Sequence, residues 1–188
     1  ISPFLLLDYA APYHFDPTTV QQGVGSHPHR GFETVTIAYQ GGVTHKDSGG
    51  GGGTIQAGDV QWMTAGGGIL HQEFHSPEFA QQGGLFEMVQ LWVNLPAHSK
   101  MTPAKYQAIE SSKIQKIALD DVGSELRVIA GEYQDLAGAA TTFSPVNVWD
   151  GTIVEGQQHH FYVTEGHTTL LVLLAGEVTL NEVQQIQS

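Results

Sequence analysis

Short runs of β-branched and aromatic residues, each ending at a glycine or a proline, constrain the fold of this chain more than any other feature. Residues 32–39 run into the pair Gly41 and Gly42, and residues 88–95 stop at Pro96. The 23 glycines follow no period of three, which excludes a collagen-like repeat. Many short strands separated by tight turns are typical of a sandwich or a barrel, so we predict an all-β chain.

Two pairs of potential metal ligands lie on predicted strands, and the members of each pair are two positions apart. His27 and His29 form the first pair, and His71 and Glu73 form the second. Residues two apart in a strand point to the same face, so the four side chains converge on one point if the two strands adjoin. Three imidazoles and a carboxylate suit divalent Fe, Ni, Cu, Mn or Zn, and the ligand types alone do not choose among these metals.

Glu33 is an alternative fourth ligand, because it follows His29 by four positions and shares its inward parity. It could equally lie behind the ligands and orient a histidine. For the remaining histidines, a surface or packed-core role is the ordinary interpretation; these are His14, His45, His75, His98, His159, His160 and His167. No second pair of the His-x-His or His-x-Glu type occurs after residue 100, so we expect the second half of the chain to lack a metal.

The formal net charge of −12 excludes whole classes of function. Seven Lys and Arg stand against nineteen Asp and Glu, and no basic residue follows Arg127. Such a surface repels phosphates, so direct binding of nucleic acid is not expected, whereas a protein partner is compatible with it. The chain has no cysteine for disulfides or thiolate metal sites. The longest apolar stretch, residues 170–175, is too short to span a bilayer, and residues 1–8 do not resemble a signal peptide.

We therefore predict a cytoplasmic protein with no membrane partner. The first residue is not a methionine, so we expect the natural chain to begin earlier. The glycine tract at residues 49–53 is not a phosphate-binding loop, because no Lys followed by Ser or Thr and no helix come after it. It is interpreted as the tip of a hairpin. The only helical turn is predicted around residues 103–107.

The composition changes near residues 138–142, and strand-like runs then indicate a second unit, the longest of them at residues 168–180. We expect an N-terminal metal-binding domain over residues 1–135 and the start of a second, metal-free domain over residues 136–188. That second segment is short for an eight-stranded jelly roll. The second domain is therefore expected to be cut off at Ser188 or completed by residues beyond it.

Six segments together carry a family resemblance: residues 27–36, 58–73, 86–96, 101–107, 128–133 and 144–150. They resemble the pirin family of the cupin superfamily, and the resemblance covers nearly the whole chain. It implies a bicupin, in which two jelly-roll (double-stranded β-helix) barrels face each other and the N-terminal barrel holds the metal. The ligands that it implies are His27, His29, His71 and Glu73. The resemblance thus favours Glu73 over Glu33. Gly67 departs from the family pattern, which usually has an arginine there, and the second cupin is incomplete.

The resemblance implies a function for this site. Several pirins are similar in activity to flavonol dioxygenases, which open the heterocycle of quercetin with O2 and release carbon monoxide. By this resemblance the cofactor is one divalent metal, with Fe(II) expected and Mn, Ni, Cu or Zn as alternatives. Four protein ligands on an octahedral metal leave about two positions for substrate and O2. Glu73 could also accept the proton of the substrate hydroxyl.

Two other functions remain compatible with the sequence. Some pirins act as iron-dependent, redox-sensing partners of transcription regulators or metabolic enzymes, and the acidic surface permits this. A metal-dependent isomerase on the same barrel is the third possibility. Five apolar residues are candidates for the lining of a substrate pocket, although a packed-core role is more common for each; these are Phe32, Trp62, Met63, Phe74 and Phe86.

Overall fold

The computed structural model describes residues 1–188 and contains mainly antiparallel strands. The prediction of an all-β chain is confirmed. One α-helix, α1 (Pro77–Gln82), and two single-turn 3-10 helices, Ala97–Ser99 and Ser111–Lys113, complete the elements. The strands are β1 (Phe4–Phe15), β2 (Gly23–His29), β3 (Phe32–Gln40), β4 (Gly42–Asp47), β5 (Gly52–Gln56), β6 (Val60–Thr64), β7 (Ile69–His75), β8 (Gly84–Asn94), β9 (Lys105–Ile109), β10 (Gln115–Ala118), β11 (Glu125–Ala130), β12 (Glu132–Tyr133), β13 (Leu136–Ala137), β14 (Val148–Thr152), β15 (Glu177–Leu180) and β16 (Gln184–Gln187).

Two sheets form the N-terminal part of the molecule. A five-stranded sheet has the order β1-β8-β3-β6-β9, and a four-stranded sheet has the order β2-β7-β4-β5. The sheets pack face to face, because Ala38 of β3 and Phe86 of β8 share a buried cluster with Val43 of β4 and Ile55 of β5. Such double-sheet packing is what a jelly-roll barrel requires. The metal-ligand candidates lie on β2 and β7 of the four-stranded sheet.

The five-stranded sheet is buried on both faces. Val35 of β3 and Trp62 of β6 lie opposite each other on one face of this sheet. Both are fully buried in the largest core cluster, which also contains Ile129 of β11 and Val148 of β14. The opposite face of the sheet carries Thr36, which contacts Glu73 of the four-stranded sheet. Side chains alternate along a strand, so the two faces of β3 serve different purposes. The face that carries Val35 packs against the second half of the chain, and the face that carries Thr36 points towards the candidate site.

The second half of the chain contains a three-stranded sheet, β10-β11-β14, and two small hairpins, β12–β13 and β15–β16. Because β14 pairs with β11, this sheet has strands on both sides of residue 135. The division into residues 1–135 and 136–188 remains a prediction. No helix in the structure combines the length and the apolar character that crossing a membrane would take.

The structure differs from the sequence predictions at three places. The predicted helical turn at residues 103–107 is instead the start of β9, whose hydrogen bonds to β6 override the local pattern. The helix α1 was not predicted, although Ser76 caps it by accepting a hydrogen bond from the Phe79 amide. Of the predicted strand at residues 168–180, only β15 is formed. A β-type pattern becomes a strand only where a neighbouring strand supplies backbone hydrogen bonds.

Candidate metal centre

Three histidines meet where β2 and β7 pair. The strands are antiparallel, and His27 lies directly opposite His71. His29 is two positions from His27 on the same strand, so its ring reaches the same side. One ring nitrogen from each of the three histidines lies within 4.8 Å of the other two. The two strands adjoin, which is the condition that the predicted convergence required, and the three imidazoles form a cluster that could hold a metal ion.

Glu73 lies beside this group of three histidines and not within it, and its contact is with His71. Its Oε2 lies 3.2 Å from His71 Nε2, but the geometry is not that of a hydrogen bond, and neither ring nitrogen of His71 has a hydrogen-bond partner. Two ligands at right angles on one ion, each bound at about 2.1 Å, lie about 3 Å apart. The separation of these two atoms thus fits two ligands of the same metal.

Unpaired buried nitrogens support the same interpretation. His29 Nε2 and both nitrogens of His71 are buried without a hydrogen-bond partner, and such groups are costly unless something binds them. The Nδ1 of His27 donates to the carbonyl of Gly25 at 2.7 Å. That bond leaves the lone pair of His27 on Nε2, as in histidines whose second nitrogen is fixed by a backbone carbonyl. The donor set therefore fits a divalent transition metal.

The protonation states also suit a metal. Burial, together with the charges of His27 and His71, lowers the pKa of His29 to about 4. Burial raises the pKa of the Glu73 carboxyl, but contact with His71 and a hydrogen bond from Gln90 outweigh it, and the net pKa is lowered. Metal binding needs neutral imidazoles and an ionised carboxylate. At neutral pH the His29 imidazole is neutral and the Glu73 carboxyl is ionised.

Aromatic side chains border the cluster on the side of the five-stranded sheet. The rings of Phe32 and Trp92 lie 5.1 and 5.5 Å from the His29 ring, centroid to centroid, and 4.7 Å from each other. Both are half-buried. Of the five apolar residues considered as pocket lining, Phe32 is thus beside a ligand candidate, whereas Trp62 packs in the core behind the sheet. Trp92 was not predicted.

Glu33 lies away from the cluster. The chain leaves β2 at His29 and re-enters a strand at Phe32 in the other sheet, so the parity of His29 does not extend to Glu33. Glu33 is on the face of β3 that carries Val35, and its Oε1 accepts a hydrogen bond of 2.7 Å from Thr64. Burial raises the pKa of this carboxyl. Its hydrogen bond is to a threonine and not to a histidine.

His45 is a buried neighbour of the cluster that sequence reasoning passed over. It is 1% exposed, and its ring lies 5.5 Å from that of His71 and 4.2 Å from that of Tyr106, centroid to centroid. The Gln61 side-chain amide donates to His45 Nδ1 at 2.8 Å, so the proton of the neutral ring is on Nε2, which has no partner. His45 pairs with Glu73 across β4 and β7. His45 reaches the site only through the register of β4 against β7, which cannot be read from the sequence.

Acid should destabilise the metal-free protein partly through His45. Burial lowers its pKa to about 4, helped by His71 and opposed by Glu73 and Asp47, whereas in the unfolded chain it returns to about 6.5. Between these values the unfolded state binds the extra proton, so the free energy of unfolding falls as the pH drops from about 6.5 to about 4. Replacing His45 by glutamine should reduce the dependence of the free energy of unfolding on pH. Some dependence should remain, because the pKa of His29 is also lowered to about 4.

Urea unfolding of the metal-free wild type and the metal-free His45→Gln variant at several pH values measures this dependence. An identical dependence in the two proteins would contradict the role of His45.

Comparison with known proteins gives consistent matches. The family model described as Pirin matches residues 1–93. A Pseudomonas aeruginosa protein named "Putative quercetin 2,3-dioxygenase" is 53% identical over 182 residues, which cover 97% of this chain and 64% of that protein. Pirin-1 of Arabidopsis thaliana is 42% identical over 177 residues, covering 94% of this chain and 57% of the relative.

A solved structure is also closely similar. The crystal structure described as quercetin 2,3-dioxygenase from Acinetobacter baumannii has 76% sequence identity to this chain and a TM-score of 0.98. The match covers 99% of this chain and 65% of that one. The chain thus spans less than two thirds of the length of each of these three relatives.

Proposed function

The chain belongs to the pirin family, and from that premise we propose that it is a metal-dependent dioxygenase that opens the heterocycle of quercetin or a related flavonol with O2. The observation that carries the proposal is the cluster of three histidines, in which His29 and His71 have buried, unpaired ring nitrogens, with Glu73 beside it. The names of the P. aeruginosa and A. baumannii relatives support the choice of reaction. The aromatic rings beside the cluster support the choice of substrate.

In this proposal the metal is held by His27, His29, His71 and Glu73. When bound, a divalent transition metal supplies Lewis acidity, which lowers the pKa of a substrate hydroxyl and brings substrate and O2 together. Fe(II) is the proposed ion, and Mn, Ni, Cu and Zn are the alternatives. The four side chains come from two neighbouring strands of one sheet, so the backbone ladder between β2 and β7 fixes their separation.

The residues around the ligands have separate roles in the proposed reaction. Glu73 accepts the proton of the flavonol hydroxyl, since a carboxylate with a lowered pKa is ionised before substrate arrives. The faces of Phe32 and Trp92 contact the flat rings of the substrate, as aromatic pairs prefer offset or edge contacts. Packing between the two sheets around the cluster limits the access of water to the carboxylate, which is 8% exposed.

Turnover of quercetin tests this function directly. Purified protein is loaded separately with Fe(II), Mn(II), Ni(II) or Cu(II), its metal content is measured, and loss of the visible absorbance of quercetin is followed together with O2 uptake. We expect both signals with at least one metal and neither without O2. Absorbance change without O2 uptake would indicate an isomerase instead. No turnover at full occupancy with any metal would contradict the dioxygenase and favour a metal-dependent protein-binding role.

A further inference from the structure

We propose that Gln90 is a positioning residue that holds the Glu73 carboxylate at the metal centre, and that Trp92 fixes the direction in which the Gln90 amide points. The inference rests on the proposed metal centre, but it concerns side chains outside the ligand set. Gln90 and Trp92 lie two positions apart on β8, so both face the four-stranded sheet. Neither residue stands out in the sequence as a site residue.

A continuous line of hydrogen bonds joins the three side chains. Trp92 Nε1 donates to Gln90 Oε1 at 3.3 Å. Gln90 Nε2 donates to Glu73 Oε2 at 3.0 Å and to Thr36 Oγ1 at 3.3 Å. Thr36 Oγ1 in turn donates to the other carboxylate oxygen, Glu73 Oε1, at 3.4 Å. Both oxygens of Glu73 are therefore held from the opposite sheet.

The chemistry of the donors makes this line directional. An indole nitrogen can only donate, and an ionised carboxylate can only accept. Gln90 lies between Trp92 and Glu73, so its carbonyl must face the indole and its NH2 must face the carboxylate. The reversed amide would place its oxygen against the Glu73 oxygen and its NH2 against the indole N–H. The Trp92 donor thus selects the one orientation of Gln90 that stabilises an anion.

The bond from Gln90 reaches the oxygen that matters for the metal. It is Oε2 of Glu73 that lies 3.2 Å from His71 Nε2, and the same Oε2 accepts from Gln90. A hydrogen bond to a buried carboxylate is charge-assisted and stronger than one between neutral groups. Without it, the side chain of Glu73 could rotate away from His71. Gln90 therefore sets where the carboxylate lies before a metal binds.

Backbone pairing places Gln90 and Thr36, the two residues that donate to Glu73, opposite each other. Gln90 is directly opposite Thr36 across β8 and β3, so the two donors to Glu73 come from paired positions. The Trp92 ring also lies edge-on to the His29 ring at 5.5 Å. Its position is thus fixed by packing as well as by its hydrogen bond. Changes at Trp92 can separate these two contributions, because phenylalanine keeps an aromatic ring and loses the N–H.

Metal affinity in a double-mutant cycle tests the inference without using turnover. The dissociation constant for Ni(II) is measured by competition with a chelating dye for the wild type, Gln90→Leu, Gln90→Met and Trp92→Phe. Losing a residue that orients a metal ligand typically weakens affinity by about 10- to 100-fold, which we expect for Gln90→Leu. Gln90→Met should weaken it to a similar extent, because methionine has about the length of glutamine but no N–H to donate to Glu73. Trp92→Phe should have a smaller effect in the same direction.

The cycle is completed in a Glu73→Ala background. Gln90→Leu should have no further effect on affinity there, whereas a general structural role would weaken binding in both backgrounds. Gln107→Leu is the matched control, since Gln107 bonds to Thr141 away from the cluster. Wild-type affinity in both Gln90→Leu and Gln90→Met, or an equal loss with and without Glu73, would overturn the inference. A wild-type chain that binds no Ni(II) would overturn the metal centre as well, so the two failures are distinct.

Discussion

Replacing His71 by alanine should abolish stoichiometric metal binding, with a loss of affinity greater than the roughly 100-fold upper range for residues that only orient a ligand. His71 lies at the middle of the site, opposite His27 on the neighbouring strand and 3.2 Å from Glu73. It is also the histidine for which both ring nitrogens are buried and unpaired. Its removal therefore takes away a candidate ligand whose two ring nitrogens make no hydrogen bond in the fold. Elemental analysis after dialysis, with dye competition for affinity, measures the loss.

The matched control for this change is His98→Ala. His98 is exposed in the first 3-10 helix and belongs to none of the predicted ligand pairs, so the variant should bind one metal with wild-type affinity. Because His71 makes no hydrogen bond in the metal-free protein, His71→Ala should still fold, which circular dichroism can verify. One metal bound at wild-type affinity by His71→Ala would show that the site lies elsewhere.

Glu73→Gln should reduce turnover of quercetin by about 10²- to 10⁴-fold in metal-saturated protein, the range typical of a lost general base. Glutamine keeps nearly the same shape, but it cannot take up the hydroxyl proton. It also presents a neutral group to the metal and to Gln90, so metal affinity should fall as well. Turnover numbers at saturating metal and saturating quercetin separate these two effects.

Glu87→Gln provides the comparison for this second prediction. Glu87 is half-buried on β8 and accepts hydrogen bonds from Tyr9 and Gln40, outside the candidate site. We expect its turnover at full metal occupancy to equal that of the wild type. Unchanged turnover in Glu73→Gln, with its metal content verified, would exclude Glu73 as the base and leave only a ligand role for it.

The parts of the site that could be predicted from sequence are those within a single strand. His27 with His29, and His71 with Glu73, obey the two-residue period because each pair lies inside one strand, β2 or β7. The same period was misleading for Glu33, because the chain turns at Gly31 and continues in the other sheet. Parity is a property of one strand and is lost at a turn.

Residues that reach the site across strands could not be found in this way. Gln90 contacts Glu73 from the opposite sheet, and His45 pairs with it from the neighbouring strand β4. Both relations depend on register and on how two sheets pack, which a single sequence does not specify. The strands themselves were easier, because β3 and β8 have dense β-branched and aromatic runs. At residues 170–175 a similar run forms no strand, which shows that composition without a pairing partner is insufficient.

In the proposed metal centre, one metal ion is held between β2 and β7. Anomalous diffraction from crystals of the metal-loaded protein, collected on both sides of the absorption edge of the metal, tests it most directly. We expect one strong anomalous peak per chain, within bonding distance of His27, His29, His71 and Glu73. A peak bonded to other residues, or no peak in crystals of protein shown to contain stoichiometric metal, would contradict it.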